Sequence, residues 1–218
     1  MGQWEEFSMR LLSVRTAAPG DGPHVAALAG IALGVVDGYA DRGLPGQVDA
    51  EGGRITLRYG QGICRVAVDD QGQVAGMVYT APPISWLDEY PAPARPSLAR
   101  LFTKIELLAV YEDHREHGLG GGLLAAVEDE ERELGRHLLV ANVALRDRSV
   151  LRWYRRRGYT IAAPGEPIIA NSNRGPVSVV DTGDGYVLAA KALQSGCSLK
   201  RAESHDQSGI FIVQRRRG

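Results

Sequence analysis

The residues of this chain best suited to chemistry lie between Val110 and Leu124, in the run V-Y-E-D-H-R-E-H-G-L-G-G-G-L-L. An apolar run, Ile105-Glu106-Leu107-Leu108-Ala109-Val110, breaks there into a Gly-rich turn, and an amphipathic helical pattern follows. A helix start leaves its first N–H groups without intrahelical acceptors, and the helix dipole adds partial positive charge. Such a point holds an anion, and the pyrophosphate of a nucleotide-bearing cofactor fits it best. Gly118 and Gly120 remove Cβ atoms where a phosphate must approach the main chain, and Arg115 can fork onto phosphate oxygens. Spacing excludes two other glycine-loop chemistries. A Walker loop needs Gly-Lys-Ser/Thr, which is absent, and a Rossmann turn needs a third glycine where Leu123 stands. The plain alternative is a helix start with glycines for tight packing.

Such a loop needs a strand before it and a helix behind it. The strand is predicted over Lys104 to Val110. The helix is predicted from Gly118 to about Gly135, with Leu119, Leu123, Ala126, Val127 and Leu134 as its buried stripe and Glu128 to Glu133 in water. Upstream, Leu11 to Ala17 is strand-like and Asp21 stands at an N-cap position. Val25, Leu28, Ala29, Ala32, Leu33 and Val36 then recur at helical spacing until Gly38, Gly43 and Pro45-Gly46. Val48 to Tyr59 suits a second short helix. Ile63 to Asp69 and Gln73 to Thr80 read as a hairpin about Asp70-Gln71-Gly72. Pro82, Pro83, Pro91, Pro93 and Pro96 exclude a regular element between Ala81 and Pro96. His137 to Val143 reads as a buried strand, and Ser149 to Arg157 as a short helix stopped by Gly158. Tyr159 to Ala163 and Gly185 to Leu193 read as strands around a polar loop. The organisation expected is one domain over residues 11–191 and a flexible C-terminal tail over 192–218, in which Ile210 to Val213 is the only strand-like run.

Composition bounds the partners. With 218 residues, 44% apolar and 23% charged, the chain resembles ordinary soluble globular proteins. A formal net charge of -1 gives no global attraction to nucleic acid or anionic membrane, so any affinity for phosphate is local. Cys64 and Cys197 form no C-x-x-C pattern, and His114 and His117 lack further ligands, so neither a disulfide framework nor a metal is expected. No apolar run reaches the length of a membrane span, and Met1 to Arg10 does not read as a signal peptide. A cytoplasmic enzyme or binding protein is expected.

At this point the chain resembles the GNAT acyl-CoA N-acyltransferase superfamily. That family places R/Q-x-x-G-x-G/A between a strand and a helix, and here Arg115-Glu116-His117-Gly118-Leu119-Gly120 follows Val110. A second block agrees: Leu138 to Val143, then Asp147-Arg148-Ser149, then Tyr154-Arg155-Arg156-Arg157-Gly158-Tyr159. The opening Val14-Arg15-Thr16-Ala17 with Asp21 is similar to the family's first strand and helix, so the resemblance covers roughly residues 11 to 191. It departs from the family at Glu116, where a small or basic residue is frequent, at Asp147, where Asn is frequent, and in the length of the Pro-rich stretch.

The resemblance implies an α/β fold whose mixed, mostly antiparallel sheet has a splayed central strand pair flanked by helices. It implies acetyl-CoA as cofactor, with the pantetheine arm along Leu108, Ala109 and Val110. The pyrophosphate would lie on Arg115, Glu116, His117, Gly118, Leu119, Gly120 and Gly121, with Ser149 and Tyr154 also contacting the cofactor. It implies direct attack of an amine on the thioester, main-chain stabilisation of the oxyanion at Val110, and Tyr154 as the acid that protonates the leaving thiolate. Strand alternation puts Glu106 on the face of Leu108 and Val110, as a base or as an ion-paired strand residue. Asn142 suits hydrogen bonding to water or substrate. For the acceptor, the segments Asp37 to Arg42 and Pro164 to Asp184 and the group Trp86, Asp88, Glu89 and Tyr90 are candidates. The last group suits a cationic amine or, equally, a lid or a homodimer contact. Arg146, Arg148, Arg152, Arg155, Arg156 and Arg157 read mainly as a solvated helix face and only weakly as a nucleic-acid surface. A small-molecule amine is the leading acceptor. A protein or peptide amine, an aminoacyl-tRNA, and an idle acyl-CoA-binding regulator are the alternatives.

Overall fold

The computed structural model describes residues 13–34, 43–172, 175–180, 183, 185–203 and 208–214. Along the chain, β1 (Ser13–Thr16), α1 (Gly22–Leu33), α2 (Leu44–Glu51), β2 (Arg54–Leu57), β3 (Gly60–Val68) and β4 (Val74–Ala81) precede two short helices, α3 (Ile84–Asp88) and α4 (Arg95–Leu98). Next come β5 (Phe102–Val110), a 3-10 turn at Glu112–His114, α5 (Leu119–Glu133), β6 (Leu138–Ala144) and α6 (Arg148–Arg156). The last elements are β7 (Thr160–Ile161), β8 (Ile168–Ser172), β9 (Gly175–Val179), β10 (Tyr186–Ala192), β11 (Cys197–Glu203) and β12 (Ser208–Gln214). The fold is mixed α/β, with a largely antiparallel sheet and flanking helices, as the sequence led us to expect. The residues group into two compact units. Of the described residues, one holds those up to Ile55, Ile63–Tyr79 and Leu107–Ala126, and the other holds Thr56–Gly62, Thr80–Glu106 and those from Val127 onward.

In the first unit the strand order is β1-β3-β4-β5. β1 runs antiparallel to β3 from Ser13↔Val68 to Thr16↔Arg65. The β3–β4 turn closes on Asp69, whose Oδ1 accepts from the amides of Gln71 and Gln73 at 2.9 and 2.8 Å, an Asx turn. Asp21 does precede α1, but its carboxylate caps nothing in that helix. It turns back to accept from the Ala18 amide at 2.8 Å and from both Arg15 Nη atoms at 2.6 and 3.1 Å, fastening β1 to the helix start.

α1 stops earlier than its apolar periodicity suggests. Gly34 adopts φ 67°, and its amide donates to the Gly30 and Ile31 carbonyls. Val25, Leu28 and Ala29 are buried, whereas Ile31 and Leu33 are exposed. Val36 and Gly38 lie outside the described residues. The second helix sits at Leu44–Glu51, ahead of the expected Val48 to Tyr59. Arg54–Leu57, with β-branched Ile55 and Thr56, is a strand instead.

In the second unit the order is β5-β6-β10-β7. β6 is antiparallel to β10 along its whole length, from Leu138↔Ala192 to Ala144↔Tyr186. β5 and β6 are parallel, and their ladder covers only Phe102↔Leu138 to Ile105↔Ala141. Both strands continue past that point without each other, which is the splay the resemblance implies.

Three expectations fail in this unit. The Pro-rich stretch contains two helical turns, because Pro83 precedes α3 and Pro96 lies in the first turn of α4, where a missing N–H costs nothing. The polar loop from Pro164 to Asp184 contains the antiparallel pair β8–β9. Residues beyond 194 are not a loose tail: β11 and β12 pair antiparallel from Cys197↔Gln214 to Glu203↔Ser208, and β12 runs parallel to β8 at Ile210↔Ile168 and Phe211↔Ile169. This second sheet, ordered β11-β12-β8-β9, shares a core with the rest of the unit, where Ile168, Val179 and Ile210 pack with Trp86, Phe102, Leu138 and Leu188.

α5 is held through its expected apolar face and through two acids. Leu119, Leu123, Leu124 and Val127 are buried, Ala126 only partly, and Leu134 is 57% exposed. Glu128 and Glu131 are 8% and 3% exposed, contrary to the solvated reading. Glu128 pairs with Lys191 of β10, and Glu131 accepts from Thr103 Oγ1 of β5 at 2.7 Å. In the first unit, a Cβ on Gly76 would lie 3.0 Å from Ala109 O, 3.0 Å from Val110 Cγ2 and 3.3 Å from Leu123 Cδ1. Only glycine lets β4, the end of β5 and the start of α5 come this close. Gly76→Val is therefore expected to destabilise the protein by about 1–3 kcal/mol, as overpacking does, and chemical denaturation will measure it.

Candidate active site

The end of β5 and the loop after it form a continuous piece of the first unit. Leu108, Ala109 and Val110 lie past the last residue that β5 pairs with β6. The Tyr111 amide donates to Ala75 O of β4 at 3.0 Å, which fixes where the strand ends. The 3-10 turn follows, and its His114 faces Asp69 of the β3–β4 turn, Nε2 to Oδ2 at 3.5 Å. Tyr111 OH lies 3.4 Å from His24 Nδ1 on α1. The loop is thus tied to two neighbouring elements of its own unit.

From Arg115 the chain turns sharply. Arg115 is extended, Glu116 has φ 70° and Gly118 has φ 82°. Gly122 is the first amide to bond back into α5, to Gly118 O at 3.0 Å. The N–H groups of the turn ahead of it have no intrahelical acceptor. A Cβ at Gly118 would meet nothing within 4 Å, so its need for glycine is conformational and the space beside it is open. Arg115 is exposed, and its Nε donates to Val110 O at 3.3 Å, leaving the outer Nη groups for an anion. The expected loop residues fit a pyrophosphate. Glu116 is the exception among them. It is the only described non-glycine residue with positive φ, a conformation that costs an L-residue roughly 1–2 kcal/mol.

The remaining candidates belong to the second unit. Glu106 is the first β5 residue beyond the β6 ladder and is partly exposed on the face shared with Lys104, whose Nζ lies 2.8 Å from its carboxylate. The ion pair to Lys104 and the position beyond the ladder leave both readings of Glu106 open. Asn142 lies on β6 opposite Leu188, half-buried. Ser149 is exposed in the first turn of α6.

Tyr154 is 5% exposed on the same helix, edge-on to Trp153 at 4.9 Å and to Tyr159 at 5.0 Å between ring centroids. Burial raises its pKa above the ordinary tyrosine value, so it keeps its proton through the neutral range. Tyr159 is raised by burial first, and by the charge of Glu128 beside it. The arginines of this region are mostly a solvated face, as expected, except Arg157, whose guanidinium lies 3.9 Å over the Trp153 ring.

The acceptor candidates fare differently. Trp86 is a core residue, 8% exposed, stacked on Phe102 at 4.3 Å and donating from Nε1 to Ser178 O at 2.8 Å. Tyr90 packs on it at 4.5 Å. Asp88 pairs with Arg58 at 2.8 Å and accepts a hydrogen bond from the Tyr59 hydroxyl. These three hold a corner of the second unit together, although Asp88, like Glu89, is exposed. Asp37 to Arg42 lies outside the described residues. Cys64 is buried, and that burial pushes its thiol up to about 12, so it remains a protonated core residue. Among the described residues no cluster of metal-ligating side chains occurs, and no helix is long and apolar enough to cross a membrane.

A strand leaving its parallel neighbour, a turn of open amides and an α-helix are the arrangement of the acyl-CoA N-acyltransferase fold. Residues 60–161 match the family model of an acetyltransferase (GNAT) domain. Three solved structures share the fold over 84% of this chain. One is yncA from Salmonella typhimurium, solved with its cofactor acetyl-CoA, at 18% identity and TM-score 0.53 over 95% of that chain. The second is N-acetylglutamate synthase from Neisseria gonorrhoeae, complexed with coenzyme A and N-acetyl-glutamate, at 20% identity and TM-score 0.53 over 35% of that chain. The third is the ribosomal-protein-S18-alanine N-acetyltransferase of Escherichia coli, at 14% identity and TM-score 0.50 over 95% of that chain. No curated protein sequence matches the chain significantly. Residues 60–161 of the chain thus form a GNAT acetyltransferase domain. Arg115→Ala or Gly120→Asp is expected to weaken binding of coenzyme A by roughly tenfold or more, the worth of a charge-assisted contact. Calorimetric titration of both variants checks this.

Proposed function

We propose that this protein transfers the acetyl group of acetyl-CoA to the primary amine of a small molecule, by direct attack while both are bound. The observation that carries the reading is the end of β5: its ladder with β6 stops at Ile105, and an open-amide turn follows Val110. When bound, acetyl-CoA supplies an activated thioester. The backbone of Leu108 to Val110 receives the pantetheine arm as an added strand, and the Val110 N–H donates to the acyl oxygen. Arg115 and the amides of His117, Gly118, Leu119, Gly120 and Gly121 hold the phosphates, and Ser149 adds a hydroxyl at the start of α6.

Tyr154 takes its role from the Tyr-x-x-x-Gly-Tyr block. In that role its phenol gives its proton to the leaving thiolate. Glu106, at the first unpaired position of β5, accepts the proton of the attacking amine, directly or through water, and Asn142 orients that water. The net charge of -1 disfavours a tRNA acceptor. A protein or peptide amine would need a surface to seat the chain around its N-terminus. Trp86, Asp88 and Tyr90 do not offer one, being engaged within their own unit. No metal takes part in this scheme.

Free-thiol release from acetyl-CoA across a panel of small amines and short peptides tests the reading. Turnover with small amines is expected, whereas turnover with peptides alone would overturn the acceptor class. Tight coenzyme A binding with no release from any acceptor would make the protein a regulator. Tyr154→Phe is expected to lower kcat on the order of a hundredfold while leaving the affinity for acetyl-CoA nearly intact. Unchanged kcat across the pH range would remove Tyr154 as the acid.

A further inference from the structure

The loop that must grip a pyrophosphate carries more negative than positive charge of its own. From Glu112 to His117, Glu112, Asp113 and Glu116 supply three carboxylates against the single guanidinium of Arg115, with both histidines counted neutral. All three acids are exposed, and none is in a salt bridge among the described residues. Glu116 is the most costly of them. It stands inside the phosphate turn, between Arg115 and Gly118, in a left-handed conformation that glycine adopts freely. Its carboxylate opposes the anion that the open amides beside it attract, and its Cβ strains the backbone that presents them. Both effects act in one direction.

We propose that Glu116 is an affinity-limiting residue, which loosens the hold of the loop on the phosphates of coenzyme A and so favours release of the spent cofactor. This rests on the reading of residues 115–121 as the pyrophosphate site. The repulsion acts through water, so salt screens it, and it acts only on ligands that carry the phosphates. A side chain that merely tolerates its position would affect neither property.

The test is titration of coenzyme A, and of S-acetylpantetheine, which lacks the phosphates, into the wild type, Glu116→Gln, Glu116→Gly and Arg115→Ala at low and high salt. Glu116→Gln is expected to bind coenzyme A about two- to fivefold tighter at low salt, with the gain fading at high salt, the size of an exposed charge effect. S-acetylpantetheine is expected to bind both proteins alike. Glu116→Gly, which also relieves the strained φ, is expected to raise the thermal midpoint of the free protein, while Glu116→Gln leaves it unchanged. Wild-type or weaker affinity for coenzyme A in Glu116→Gln, with Arg115→Ala impaired, overturns this proposal alone. Wild-type affinity in both variants overturns the pyrophosphate assignment and the proposal with it. An equal gain for S-acetylpantetheine shows that the carboxylate acts elsewhere, and overturns the proposal too.

Discussion

Four residue pairs of parallel ladder set up everything else in this protein. β5 and β6 hold each other from Phe102↔Leu138 to Ile105↔Ala141 and then part. Each strand keeps its other neighbour, β4 beside β5 and β10 beside β6 as far as Ala144, so it is the two facing edges that open. β5 is left with main-chain groups that need a partner, since an unpaired strand edge is costly when dry and adhesive when exposed. A ligand able to behave as a strand satisfies that demand. In the proposed reaction the glycine turn after Val110 would meet the same ligand with a different kind of group, the unpaired amides at a helix start.

That helix is fixed by unlike means along its length. Near its start, the absence of a side chain at Gly76 sets how closely Leu123 approaches the strands. Further along, two buried carboxylates do the work, Glu128 on Lys191 and Glu131 on Thr103. Buried acids of this kind add little net stability over apolar residues of the same size. Their contribution is to direction. A Leu at either position could pack in several rotations of the helix, whereas a carboxylate bound to a fixed partner accepts one.

Much of the fold was legible in the sequence, and the gaps have physical causes. The β3–β4 hairpin, β5, β6 and α6 announce themselves by apolar, β-rich runs, by the Gly-containing turn Asp70-Gln71-Gly72, and by Gly158. The glutamates of α5 misled because polarity was read as exposure. The spacing of Leu124, Val127, Glu128 and Glu131 is that of one helical stripe, and that pattern was the available signal. The Pro-rich stretch misled in the opposite sense, since prolines that forbid a helix interior are welcome in a first turn. Of the last two strands, Ile210 to Val213 in β12 is strand-like by itself, whereas β11, C-S-L-K-R-A-E, is polar and owes its strand character to pairing with β12. For the site, the motif marks Arg115 to Gly121 and Tyr154, but no spacing announces the end of the β5–β6 ladder or the backbone angle at Glu116. The acid and aromatic residues near Trp86 looked like ligands for an amine because composition alone does not distinguish a surface from a core.

The parallel pairing of β8 with β12 bears on how the chain comes to be folded. Ile168 finds its partner Ile210 only after β9, β10 and β11 have been made, and the cluster around Trp86 and Phe102 includes both. Such long-range parallel contacts form slowly, because loop closure must precede any gain from packing. During synthesis the β8–β9 hairpin therefore waits with an apolar edge uncovered until residues 208–214 have left the ribosome. Over that interval the second unit is a substrate for chaperones, and a ribosome stalled before Ile210 would display an adhesive strand rather than a finished enzyme.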